Sequence, residues 1–198
     1  MKYSLIIVFL AGLAITCLAQ STLPSVELQI KTAVLAAPEE QREGAMVYGY
    51  DEEGEMVVLR EGSNDLVCIA DNPLQEGFSA SCYHRDLEPF MERGRVLRKE
   101  GKSSQEIFDM REEEVKSGKL KMPEDPTTLF VFSAPKEQYD ASSGEVTEGN
   151  FRYVVYIPYA TPESTGLPLG PEAPGMPWIM DPGTHRAHIM INPPAPAQ

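Results

Sequence analysis

The sequence is poor in the side chains that most enzymes use for chemistry, with three histidines, three cysteines and one tryptophan in 198 residues. It is also poor in positive charge, because 17 lysines and arginines stand against 30 aspartates and glutamates, which gives a formal net charge of −13. Nucleic acids and anionic membranes are bound through clustered lysine and arginine, so this charge disfavours both as partners. Solubility is the simplest explanation of the acidic excess.

The common catalytic and nucleotide-binding motifs are missing as well. The sequence contains no G-x-S-x-G elbow, no G-x-G-x-x-G, no P-loop and no H-E-x-x-H. The predicted elements do not alternate between strand and helix in the way that a βαβ enzyme requires. We therefore predict no cofactor and favour a protein without catalytic activity.

The amino terminus is typical of a secretory signal. Lys2 precedes an apolar run over residues 5–18, and small side chains flank a cleavage point after Ala19. The run is shorter than the about 20 residues that span a bilayer, and no later stretch is long and apolar enough to do so. We predict a signal peptide over residues 1–19 and a secreted or periplasmic location. A lipoprotein signal with a lipidated Cys17 is the less favoured alternative, because the residues before it fit such a signal poorly.

The chain that follows the signal has the size of one domain. A chain of this length buries roughly 70% of its unfolded surface, which is enough for a core without metals. We predict a single domain over residues 20–192 and a disordered Pro-Ala tail over residues 193–198.

Several runs in the first half read as strands. Apolar and polar residues alternate over residues 25–34, which predicts a half-buried strand, although residues 33–37 break the pattern and would suit the start of a helix. Residues 45–50 and 55–61 flank an acidic turn that ends in glycine, and residues 66–70 form a third apolar run. We predict that these last three runs form an antiparallel meander.

Two helices are predicted next, over residues 86–100 and 103–117. Apolar residues recur at helical spacing in both, and Gly101 and Gly118 are suited to end them. Ser103, followed three residues later by a glutamate, forms a capping box at the start of the second helix.

The second half predicts further strands over residues 127–133, 151–159 and 188–191, the first two joined by a long polar tip. Ten of the 17 prolines lie from residue 158 onwards, which excludes long regular elements there. The predicted fold class is therefore α+β: an antiparallel sheet of about five to seven strands packs on a helical hairpin, and a Pro-rich C-terminal loop covers one edge.

Cys68 and Cys82 are the two cysteines that follow the predicted signal. In an oxidising compartment an even pair usually forms a disulfide, and this one would close a 15-residue loop, worth about 3 kcal/mol in the chain-entropy model. The functional alternatives are a nucleophile pair of Cys82 with His84 and a thiolate metal ligand. Both need a reduced thiol, so we favour the disulfide.

The remaining candidate catalytic residues lie near the carboxyl terminus. His185 and His188 form H-x-x-H, and Asp181, Glu88 or His84 could complete a zinc site with them. Two side chains three residues apart converge on a helix, whereas this stretch reads as a turn followed by a strand. A hydrolase or metal-dependent enzyme centred on His84, His185, His188 and Asp181 is therefore the alternative function.

The Pro-rich segment from Tyr159 to Trp178 could contact a ligand or partner. Tyr159 and Trp178 are its candidate contact residues, since aromatic side chains with one polar atom suit both burial and recognition. The structural alternative, which we favour, is a covering loop whose tryptophan fills the core.

Three blocks resemble a family of uncharacterised secreted bacterial proteins. The blocks are Leu59–Asn64 leading into Cys68, Cys82–Met91, and Pro177–Thr184 followed by Ala187–Met190. The resemblance implies an exported bacterial protein of about this size and brings no activity, cofactor or substrate. Together with the composition, it favours a non-enzymatic binding or interaction protein. The expected partner is an unknown protein or a small molecule, contacted through the sheet face or the Pro-rich loop.

Overall fold

The computed structural model describes residues 23–194. The predicted signal peptide, Cys17 and residues 195–198 of the predicted tail lie outside the described residues. The described part is an α+β fold, as predicted. None of its helices combines the length and the apolar character needed to cross a membrane.

In chain order, the elements are α1 (Val26–Ala33), β1 (Met46–Tyr50), β2 (Met56–Arg60), β3 (Leu66–Ile69), β4 (Phe78–His84), α2 (Glu88–Lys99), α3 (Ser104–Lys116), β5 (Thr127–Ala134), β6 (Tyr139–Asp140), β7 (Glu145–Val146), β8 (Asn150–Tyr156), α4 (Pro162–Thr165), β9 (Trp178–Met180) and β10 (His188–Ile191). Short 3₁₀ turns occupy Val34–Ala36, Glu39–Gln41, Arg85–Leu87 and Lys136–Gln138.

The main sheet has eight strands in the order β2-β1-β3-β4-β5-β8-β10-β9, and β6 pairs with β7 in a separate small ribbon. Its neighbours are antiparallel except for β1 and β3, which run parallel. The prediction of five to seven antiparallel strands was therefore wrong in number and in direction. The additional strand β9 was missed because it is three residues long and lies within the Pro-rich segment.

The predicted antiparallel meander of residues 45–50, 55–61 and 66–70 was wrong in the placement of its third strand. β1 and β2 form the expected hairpin, but β3 lies on the other side of β1. The connection from β2 to β3 passes close to the start of β1. A Cβ on Gly62, in this connection, would lie 2.6 Å from the backbone nitrogen of Met46. Leu66, Val67 and Cys68 are all buried, so β3 is suited to an interior position between two strands, whereas the partly exposed β2 is suited to the edge.

Residues 25–34 form a helix instead of the predicted strand. Ser25 caps α1 by accepting a hydrogen bond from the Leu28 N–H at 3.2 Å. The buried face of α1 carries Gln29, Thr32 and Ala33, small or polar residues that do not contribute to the apolar alternation seen in the sequence. The Gln29 side chain accepts from the Tyr50 N–H at 2.7 Å and donates to the Tyr50 carbonyl at 2.9 Å, which fixes α1 against the end of β1.

Helices α2 and α3 form the predicted helical hairpin. Both halves of the capping box at Ser103 and Glu106 are present, and Gly101 and Gly118 take positive φ after the two helices. Tyr83 of β4 and Arg95 both hydrogen-bond to Glu88 at 2.5 Å, so a polar network fastens α2 to the sheet.

The sheet is covered on both faces. On one face, α1 and the turn Val34–Ala36 pack on a cluster that includes Val47, Phe78 and Ala80. On the other face, α2 and α3 pack on a cluster that includes Tyr83 and Tyr156. We call these the α1 face and the hairpin face.

The predicted disulfide is confirmed. Cys68 on β3 and Cys82 on β4 are directly opposite each other, with their Cα atoms 4.0 Å apart, and their sulfurs are bonded. Both side chains are fully buried on the α1 face. Cys82 is therefore not a free thiol, and the alternative in which Cys82 and His84 form a nucleophile pair is excluded.

Candidate functional site

His185 lies in the segment between β9 and β10 and faces α3. The Glu112 carboxylate accepts a hydrogen bond from the His185 backbone N–H at 2.8 Å and contacts Nδ1 of the same residue. Lys116 binds the other oxygen of Glu112 at 3.0 Å. This arrangement joins the C-terminal segment to α3.

The His185 ring is completely buried, between Phe90 and Phe108. Burial lowers its pKa, with the Glu112 carboxylate acting in the opposite direction, so the ring is neutral at pH 7. Its Nε2 has no hydrogen-bond partner within the described residues. A substrate has no access to a ring with no exposed surface, so the pair of His185 with Glu112 is suited to holding the fold together.

The other predicted catalytic residues do not converge with His185. Nδ1 of His188 hydrogen-bonds to the Arg186 carbonyl at 2.7 Å, and its ring packs on Tyr156. Asp181 accepts from Arg186 Nε at 2.7 Å. His84 lies at the end of β4, where its Nδ1 is 3.3 Å from Asp86. Among residues 23–194, no three His, Cys, Asp or Glu side chains are close enough to hold a metal ion.

The two aromatic contact candidates differ in exposure. Trp178 of β9 is partly buried and packs against the hydrophobic cluster of the hairpin face. Tyr159 is 42% exposed and takes a positive φ of 63°, a conformation that is unusual for a bulky residue. Its backbone N–H donates to the Thr184 carbonyl at 2.8 Å, which joins the start of the Pro-rich segment to the segment between β9 and β10.

A groove lies on the α1 face of the sheet. Its volume is about 480 Å³, and it is open to solvent on one side. Leu35 and Arg42, which follow α1, form one wall together with Lys31. Phe132 of β5 and Phe151 of β8 form the floor.

The floor of the groove is aromatic. Phe132 and Phe151 are directly opposite each other in the sheet and stack with their centroids 4.5 Å apart. Phe130 and Tyr153 continue the same face one pair further along, and Tyr153 is 38% exposed. Partly exposed aromatic rings on a sheet face offer flat apolar surface to a ligand.

The second wall is an arm formed by residues 135–149, the long tip that connects β5 to β8. Its residues Ser143 to Val146 line the groove. The arm reaches back to α1, because Lys31 Nζ donates to the Ser143 carbonyl at 3.2 Å. Gly144 has φ 70°, and a Cβ there would lie 2.6 Å from Leu28 Cδ1 and 2.7 Å from Thr32 Cγ2. Glycine is therefore needed for the arm to close against α1.

No sequence motif predicts this groove. Its residues come from three distant parts of the chain, and none belongs to a motif. One signal was present: aromatic residues at alternate positions in two adjacent strands, Phe130 with Phe132 and Phe151 with Tyr153, indicate an aromatic sheet face.

Comparison of the chain with protein-family models, with curated proteins and with solved structures found no match.

Proposed function

We propose that this chain is an exported bacterial protein that binds an apolar small molecule in the groove on the α1 face and catalyses no reaction. The observation that carries this proposal is the open groove with its stacked floor of Phe132 and Phe151. Its volume of about 480 Å³ falls within the range of roughly 300–1,000 Å³ that is common for small-molecule sites.

Export is supported by three independent features. The first 19 residues read as a signal peptide, the Cys68–Cys82 disulfide is typical of oxidising compartments, and three sequence blocks resemble secreted bacterial proteins. The proposal that the chain catalyses no reaction rests on the sequence, which lacks the common catalytic motifs. The histidines near the carboxyl terminus are engaged in contacts that hold elements together.

The binding proposal is tested with Nile red, an uncharged apolar dye whose emission rises in an apolar site. Oxidised protein covering residues 20–198 is titrated with the dye. We expect saturable binding, and we expect the variant Phe151→Ser to bind about tenfold more weakly, because it removes one of the two rings of the floor.

Leu74→Ser is the matched control, because Leu74 is 92% exposed and lies outside the groove. It should leave dye binding unchanged. Circular dichroism establishes that both variants are folded. Equal loss of binding in the two variants, or no saturable binding by the unmodified protein, contradicts the proposal.

A protein partner for the Pro-rich segment is a second candidate. Tyr159, Leu169 and Met176 expose 42%, 69% and 40% of their surface along this segment. Such residues could form the apolar part of an interface. Because Trp178 is the last residue of the segment, binding there should change the tryptophan emission, whereas a ligand in the groove should not.

A further inference from the structure

We infer that the groove takes a monocarboxylate with an apolar body and holds its carboxylate at Lys31 and Arg42. This inference rests on the proposed binding function and adds the chemical class of the ligand. It starts from the charge of the groove rather than from its shape.

Lys31 and Arg42 line the groove, and neither forms an ion pair within residues 23–194. Arg60 donates from Nη2 to the Arg42 carbonyl at 2.6 Å. Two basic side chains without an acidic partner in the described residues thus line the groove of a protein whose net charge is −13.

Many other basic residues of the protein are paired. The pairs include Arg85 with Asp65, Arg93 with Glu114, Arg95 with Glu88, Lys99 with Glu55, Lys116 with Glu112, and Arg186 with Asp181. Within residues 23–194, eight of the 16 lysines and arginines form an ion pair. The uncompensated charge at the groove is complementary to an anionic ligand.

Both cations are held in place before a ligand arrives. Arg42 donates from Nε to the Ala37 carbonyl at 3.0 Å and from Nη2 to the Leu35 carbonyl at 3.2 Å. No partner of Nη1 is found within the described chain, so this nitrogen can donate to a ligand. Lys31 is fixed by its bond to Ser143 on the arm, with further N–H donors on the ammonium group. Preorganised donors lose little entropy on binding.

Glu145 is the single acidic residue of the lining. Two cations and one carboxylate leave one net positive charge around the groove. This balance favours a monoanion over a dianion, because the second charge of a dianion would be repelled by Glu145. The aromatic floor then accommodates the apolar body of the same molecule.

The test compares three probes of equal chain length by isothermal titration calorimetry: decanoate, decanol and decyltrimethylammonium. We expect decanoate to bind at least tenfold more tightly than decanol, and the cation to bind most weakly. Raising the salt concentration should weaken the binding of decanoate and leave the binding of decanol unaffected, since salt screens only the charged contact.

Variants of Lys31 identify the source of the preference. Lys31→Gln keeps a hydrogen-bond donor near Ser143 but removes the charge, so decanoate affinity should fall severalfold while decanol affinity is unchanged. Lys31→Arg should retain the preference for decanoate. Lys121→Gln is the control, because Lys121 is exposed, lacks an ion pair in the described chain and lies outside the groove.

The outcomes separate the two proposals. If decanoate and decanol bind equally well to the unmodified protein, the carboxylate assignment is wrong and the groove remains a binding site. The same holds if Lys31→Gln leaves the ratio of decanoate affinity to decanol affinity unchanged. If none of the three probes binds and Nile red also fails, both the assignment and the binding function are wrong.

Discussion

A buried histidine beside a carboxylate shows how a single residue makes the stability of this fold depend on pH. His185 has a pKa below its ordinary value of 6.5, because burial disfavours the charged ring more than Glu112 favours it. Burial likewise lowers the pKa of His188. In the unfolded chain both rings regain their ordinary pKa and bind a proton more readily.

We therefore expect the free energy of unfolding to decrease as the pH falls. The contribution of the two histidines is complete above about pH 6.5 and is lost progressively below it, because there the unfolded state binds more protons than the folded state. His185→Phe keeps a ring between Phe90 and Phe108 but cannot be protonated. Urea unfolding between pH 5 and pH 8 should show a weaker pH dependence in this variant.

The control for this experiment is Leu74→Ser, which changes a side chain that is 92% exposed and carries no titratable group. This variant should keep the pH dependence of the unmodified protein. A His185→Phe variant whose pH dependence is equally steep would show that the buried ring does not contribute.

At the scale of elements, the helices and strands that depend on local signals could be predicted from the sequence. The hairpin of β1 and β2 follows from its glycine-containing turn, α2 and α3 follow from apolar spacing and from the capping box at Ser103, and β5, β8 and β10 follow from their apolar residues. Each of these signals lies within a few residues of the element that it predicts.

What could not be predicted depends on contacts between distant residues. The alternation in residues 25–34 suits a strand, whereas the structure has a helix whose Gln29 side chain bonds to Tyr50, twenty-one residues away. The position of β3 beside β1 depends on the close passage of Gly62 beneath Met46. The groove depends on the return of the arm to α1, which no local pattern encodes.

The disulfide connects two neighbouring strands, and its removal tests how much that connection stabilises the sheet. The double variant Cys68→Ala/Cys82→Ala should lose about 3 kcal/mol of unfolding free energy, because the unfolded chain is no longer constrained by a closed loop. Urea titration of the oxidised protein and the variant measures this difference. Reduced wild-type protein should unfold near the midpoint of the variant, and equal midpoints for the oxidised protein and the variant would contradict the prediction.

At the scale of the whole molecule, one sheet is shared by both hydrophobic clusters. Val47 and Cys68 face α1, whereas Val67 and Tyr83 from the same region of the sheet face the helical hairpin. Neither layer of helices can separate without exposing strands that the other layer also needs. The single domain over residues 20–192 stays a prediction.

We therefore expect a single cooperative unfolding transition. Differential scanning calorimetry should give one peak, with a calorimetric enthalpy close to the van't Hoff enthalpy. Two resolved peaks, or tryptophan emission and circular dichroism with different midpoints, would show that the two layers unfold separately. The emission of Trp178 reports on the hairpin face, so the two signals are suited to this comparison.

The strand order has a consequence for a chain that folds while it emerges amino terminus first. After β1 and β2 have paired, β3 is added beside β1, and β4, β5 and β8 are each added beside the strand that precedes them in the main sheet. Each of these strands thus finds its partner already in place, whereas β9 pairs only when β10 enters between it and β8. Assembly can follow emergence step by step, and the unpaired edge advances with the chain until β9 and β10 complete the sheet.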